Sequence, residues 1–132
     1  MGEHNSGVVL PHSFEAEKAV LGAILRRSEN FHLVIDKVGL EAEHFFSDSH
    51  RKIYSIMVEL EESHQPIDII TVAELFFSKN QNDKNTINPG YIVELTESCP
   101  VSQNIEYYAE IVTQKFYLRR VIYACQETIQ KA

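Results

Sequence analysis

The sequence predicts an all-α protein, a compact orthogonal bundle of about six helices ending in one long helix. Three observations carry this. Apolar residues recur every three or four positions in successive segments, not every second one. Helix start and stop residues punctuate those segments. Finally, residues 104–131 run without a Gly or a Pro.

The first helix follows Pro11, with Ser13 placed to cap it and Glu15 and Glu17 in its first turn, where the positive helix end favours acids. Phe14, Ala16, Val20, Leu21, Ala23, Ile24 and Leu25 give it a wide apolar face. Gly22 inside it costs about 1 kcal/mol against Ala, which suggests close approach of a neighbouring helix. The second, "NFHLVIDKVG", sets Phe31, Val34, Ile35 and Val38 at helical spacing and stops at Gly39. "EAEHFFSDSH" is a short connection with Phe45 and Phe46 as an aromatic plug. Ser47 or Asp48 then caps a third helix with Ile53, Ile56, Met57 and Leu60 on one stripe.

Pro66 and Asp68 mark a turn, and Thr71 with Glu74 has the spacing of a capping box at the fourth helix. The β-branched run at residues 67–72 is the main competing strand signal, but it is short and Pro66 argues against a central strand. "SKNQNDKNT" reads as a surface loop. Asn88 and Pro89 read as cap and first residue of a short fifth helix. "CPVS" breaks it, and Ser102 or Asn104 starts the last helix, with Ile105, Tyr108, Ile111, Val112, Tyr117, Leu118, Val121, Ile122 and Ala124 as its apolar residues. The adjacent Tyr107 and Tyr108 point about 100° apart, so one can be core while the other faces a partner. The organisation expected is a flexible N-terminal arm (residues 1–10), a globular helical head (11–100) and a long helix (101–132).

A chain of 132 residues with 44% apolar and 23% charged residues is long enough to bury one core. The net charge of −7 is uneven: residues 28–63 hold eight acids against three bases, whereas residues 101–132 hold four bases against three acids. Lys115, Arg119 and Arg120 make only a thin basic face, so little direct DNA binding is expected, and a basic protein partner suits the acidic middle better. No apolar run approaches the roughly 20 residues of a membrane span. Cys99 and Cys125 lack metal-like spacing and read as reduced thiols of a cytoplasmic protein.

No catalytic, cofactor-binding or metal-binding residue is expected in this chain. The glycines are scattered and no phosphate-binding loop occurs, so ATP should not bind. His44, His50 and His64 lack the convergent spacing that zinc needs and read as surface or helix-end residues. Asp48, Ser49 and His50 are too close in sequence to orient one another as a triad. Tyr91 is either an exposed aromatic anchor or a core residue.

Five segments in order carry a resemblance: "PHSFEAEKAVLGAIL", "FF" with "HRKIYSIM", "QPIDIITVAELF", "YIVELTESCP", and "NIEYYAEIV" with "LRRVI". Across residues 11–129 the chain resembles the N-terminal domain of bacterial replicative DNA helicases. The resemblance implies a parent protein with a linker and a RecA-like ATPase that uses ATP and Mg2+ to unwind duplex DNA. It implies a collar of three dimers within a hexamer, on which the C-terminal domain of primase docks, with a helicase loader as a further partner. Residues 104–131 match the first arm of a two-helix dimerisation hairpin whose return helix is absent, which makes Ile111, Leu118 and Ile122 the candidates for self-association. Glu15 and Tyr91 match the family's primase-facing acid and aromatic. "NTINPGY" replaces the family's Gly-rich turn, and the Asn-rich loop before it is unusual, so the docking surface is expected to suit its own primase. The rival is a stand-alone adaptor or helicase-loader-like regulator that mimics this domain; a phosphate-binding motif downstream would select the helicase.

Overall fold

Ser13 adopts an extended conformation and its side chain accepts the Ala16 N–H, which starts α1 (Phe14–Arg26). The computed structural model describes residues 9–83, 87–98 and 104–131. Among them are six α-helices, one turn of 3-10 helix and no strand. The expectations for most of the N-terminal arm, for Cys99 and for Ser102 lie outside the described residues.

α1 is the hub: Ala19–Leu25 is buried throughout, and the helix packs against α2, α3, α5 and α6. Phe14 departs from its expected place on the buried face, being 42% exposed and resting on His12 and Phe46. It opens the helix before the chain has turned inward, so the buried stripe begins at Ala16.

α2 (Glu29–Val38) ends on Gly39, whose φ of 72° is the left-handed cap that glycine adopts without strain. The chain then makes the 3-10 turn Ala42–His44 and enters α3 (Asp48–Glu62), capped by Ser47. Asp68 caps α4 (Ile69–Lys79): its carboxylate accepts the Thr71 N–H at 2.9 Å, and the Thr71 hydroxyl accepts the Asp68 N–H at 3.0 Å. The box is therefore Asp68 with Thr71, not Thr71 with Glu74. Asp68 combines a charged acceptor with an extended backbone, so the helix begins earlier and absorbs the β-branched run. Asn88 caps α5 (Pro89–Glu97), with Pro89 in its first turn.

The core gathers Leu21, Ile24, Phe31, Ile53, Met57, Phe76, Ile92 and Leu95 from five helices. Tyr54 lies among them and donates its hydroxyl to Leu40 O at 2.9 Å, and burial pushes its phenol well above the ordinary range. α6 (Ile105–Lys131) lays Ile105, Ala109, Val112, Phe116 and Arg119 against this body. Those positions alternate steps of four and three, so one stripe of the helix faces inward. Beyond Arg119 no described residue of α6 is buried. No helix among the described residues is long and apolar enough to cross a membrane.

Candidate interaction surfaces

Three helices meet at a buried polar clamp. Glu17 of α1 is 1% exposed and His50 of α3 is 2% exposed. Glu17 Oε1 faces His50 Nδ1 at 2.7 Å, and His50 Nε2 lies 2.6 Å from the Tyr91 hydroxyl on α5. Glu17 also accepts the backbone N–H of Phe46 at 2.7 Å and of Ser47 at 3.3 Å. Each polar atom has a partner when the imidazole hydrogen sits on Nδ1 and Tyr91 donates to Nε2.

His44 and His50, expected at the surface or at helix ends, do stand at helix ends, yet both are buried. Each falls in register with a packed face, and each finds a partner that makes burial tolerable: Glu17 from α1 for His50, and the nearby Glu41 N–H for His44. Asp48 instead pairs with Arg51 and Lys52. The sequence carboxylate, imidazole, hydroxyl along the clamp is that of a nucleophile triad. Burial first, then the Glu94 and Glu17 charges, raise the Tyr91 phenol and hold it protonated, so the arrangement is a fastening and not an activated nucleophile.

Tyr91 itself is half-buried, its ring stacked on His50 at 5.9 Å and 16°. It falls between the two sequence readings: its hydroxyl is bonded to a buried histidine, while the residue as a whole is neither core nor fully exposed. Glu15 is exposed and borders a cleft of about 350 Å³ with Lys18, Ala19, Ser98 and Tyr108. Tyr91 is not among the residues of that cleft. Of the tyrosine pair on α6, Tyr108 packs against the core and Tyr107 is exposed.

Arg119, expected on a thin basic face, is instead 5% exposed. Its guanidinium donates to Pro11 O at 2.8 Å and His44 O at 2.9 Å and lies over the rings of Phe46 and Phe116. The apolar stripe carries this arginine inward, and two backbone carbonyls with aromatic faces receive it.

Glu41, Glu43 and His44 place ligand atoms within 4.8 Å of one another. His44 Nδ1, however, already accepts the Glu41 N–H at 2.9 Å, and the ring packs on Phe116. In the neutral ring that acceptor role leaves the hydrogen on Nε2, so neither nitrogen offers a lone pair to a cation. The cluster is a capping arrangement.

Burial lowers the His44 pKa from 6.5, against the opposing pull of Glu41 and Glu43. The unfolded chain therefore binds more protons than the folded one below 6.5. Stability is expected to fall as pH drops through that value toward the lower folded pKa, and to be level above the unfolded value and below the folded one. Thermal melts from neutral to mildly acidic pH should show this slope, and it should flatten in His44→Gln; an unchanged slope in the variant would place the effect elsewhere.

The three self-association candidates occupy different surroundings. Ile111 is half-buried against the core, Leu118 is 49% exposed and Ile122 is intermediate. Tyr117, Val121, Tyr123 and Ile129 extend the exposed apolar surface of α6. Cys125 is an exposed free thiol.

The fold and its long α6 are those of a helicase N-terminal domain. The family model described as the DnaB-like helicase N terminal domain matches residues 9–114, and the chain belongs to this family. It is 37% identical over 123 residues to the replicative DNA helicase DnaB of Geobacillus stearothermophilus, covering 92% of this chain and 26% of the relative. Over 113 residues it is 38% identical to the replicative DNA helicase DnaC of Bacillus subtilis, covering 85% of this chain and 24% of that protein. The chain thus spans about a quarter of the length of these relatives. Among solved structures, the N-terminal domain of DnaB helicase from Mycobacterium tuberculosis superposes with a TM-score of 0.82 at 27% identity, covering 92% of this chain and 86% of that one. A DnaB-like replicative helicase, described with its interactions with primase, gives 0.73 at 28% identity, covering 90% of this chain and 27% of that one.

Proposed function

We propose that this chain is the non-catalytic assembly and primase-docking part of a hexameric replicative DNA helicase. In this reading the parent protein unwinds duplex DNA in the cytoplasm, with ATP and Mg2+ bound by a motor domain beyond these residues. The observation that carries it is the family match over residues 9–114 in a chain that covers about a quarter of full-length helicases. The same relatives favour a helicase segment over a stand-alone adaptor or helicase-loader-like regulator. The division into an arm at 1–10, a head at 11–100 and a hairpin arm at 101–132 belongs to this proposal, as does a helicase loader as a further partner.

Docking is assigned to α5 with the start of α1. Tyr91 offers part of a rigid ring and Glu15 an exposed carboxylate to a basic surface of the primase C-terminal domain. The clamp allows a clean test. Tyr91→Phe keeps the ring but leaves His50 Nε2 without its partner, so stability should fall by about 1–3 kcal/mol while primase affinity holds. Tyr91→Ala should lose about 1–3 kcal/mol of affinity as well. Glu15→Ala should lose less, and the loss should shrink at high salt. Surface-plasmon binding beside circular-dichroism melts reads both quantities. Full affinity in Tyr91→Ala would remove this residue from the interface.

Self-association is assigned to the outer face of α6. Sedimentation equilibrium on the chain extended through a return helix should show firm dimers, weakened by Leu118→Ala with the melt unchanged. Ile111→Ala should instead lower the melt by about 1–3 kcal/mol, the range for a partly buried truncation. Equal association with and without the return helix would rule out the hairpin.

A further inference from the structure

Between the 3-10 turn and α6 lies an open cleft of about 340 Å³ whose walls include Arg51, Arg119, Arg120, Phe46, Phe116 and Tyr123. Glu43 is its one acid. Three cations on one cleft stand out in a chain of net charge −7.

The arginines differ in how they are satisfied. Arg51 donates to Phe45 O and Phe46 O and pairs with Asp48. Arg119 is buried, yet both its acceptors are neutral carbonyls, at 2.8 and 2.9 Å. Arg120 is exposed and rests on the Phe116 ring at 5.7 Å. Among the described residues, neither Arg119 nor Arg120 is paired with a carboxylate. Glu17 exerts the strongest favourable charge on Arg119, but its oxygens are held by His50 and two amides. A buried guanidinium ordinarily meets a counter-charge, and Arg119 has N–H donors left over after its two carbonyls.

We propose that this cleft binds a carboxylate of a protein partner, an aspartate or glutamate side chain within an acidic peptide that also carries an apolar residue. A guanidinium fork takes a carboxylate through two parallel hydrogen bonds. Phe46, Phe116 and Tyr123 supply the apolar wall for the neighbouring residue. The charge balance selects carboxylate over phosphate: a dianion meets Glu43 on the wall and the acidic chain around it, and a nucleic-acid backbone meets the same repulsion along its length. The cleft also adjoins the stretch where α6 leaves the head, so a peptide seated there would touch both.

The probe is N-acetyl-glutamyl-leucinamide, titrated into the isotopically labelled chain while the arginine Nε–H resonances are followed by NMR. Saturable shifts of Arg119 and Arg120 are expected. Arg120→Gln removes an exposed side chain whose contact is the Phe116 ring, so the melt should hold while affinity drops about tenfold, the scale of one charge-assisted hydrogen bond. Arg119→Gln is the less informative variant because it also releases two backbone carbonyls. Inorganic phosphate should bind more weakly than the peptide. The proposal is overturned by the absence of saturable shifts, by equal binding in Arg120→Gln, or by tighter binding of phosphate.

Discussion

Glu17→Ala is expected to destabilise the domain by about 3–5 kcal/mol, the scale for leaving several buried donors without their acceptor at once. The loss is large because three donors converge on this carboxylate: His50 Nδ1 and the backbone N–H groups of Phe46 and Ser47. Without it they are buried with no acceptor, and the link from α1 through α3 to Tyr91 on α5 is broken. Glu17→Gln should be nearly as costly, since its amide nitrogen would face a donor whichever way it turns. Glu15→Ala, two residues earlier and exposed, should stay within about 0.5 kcal/mol. Urea unfolding of the three variants measures these differences, and a Glu17→Ala protein as stable as the parent would show that water replaces the carboxylate.

Arg119→Ala is expected to cost about 2–4 kcal/mol, from two carbonyls left without their donor and lost packing over two aromatic rings. Arg119→Lys should recover little of this. One ammonium on a flexible stem cannot span Pro11 O and His44 O as a planar fork does, and it stacks poorly. Arg120→Ala, one position along on the exposed side, is the control and should be close to neutral. Hydrogen exchange adds a spatial reading: amides near Pro11 and the 3-10 turn should lose protection in Arg119→Ala, and uniform loss across all helices would argue for a global effect instead.

The helices themselves were legible because their signals are local. Ser13, Gly39, Asn88 and Pro89 each act within four residues of where they stand and occupy their expected positions, and of Ser47 and Asp48 it is Ser47 that caps the third helix. The start of the fourth helix differs from the expected one because two overlapping cap patterns compete, and Asp68 is the stronger acceptor. The polar clamp was harder to see for a different reason. Glu17 precedes Val20 and Ile24 by three and seven, His50 precedes Ile53 and Met57 by the same steps, and Arg119 follows Phe116 and Val112 likewise. All three therefore sit on buried faces, and the register was readable. Their partners lie 33, 41, 75 and 108 residues away in the chain, and no local spacing announces them. A polar residue in a core register is the signal that could have pointed to them. Tyr91 illustrates the same limit: its place on a helix was clear, but its half-burial depends on a histidine from another helix.

α6 is 27 residues long, which makes it about 40 Å from end to end. Its inward-facing stripe stops at Arg119, so the last dozen residues extend about 18 Å past that point. Mechanically this is a lever with its fulcrum at the guanidinium, where one side chain grips both the segment before α1 and the 3-10 turn. A small tilt at the fulcrum is magnified at the tip, and the same rigidity returns any force on the tip to the head. The spacing and angle between whatever is attached to the two ends would therefore be set by a single helix axis, seated by its apolar stripe and pinned at the end of that stripe by two hydrogen bonds.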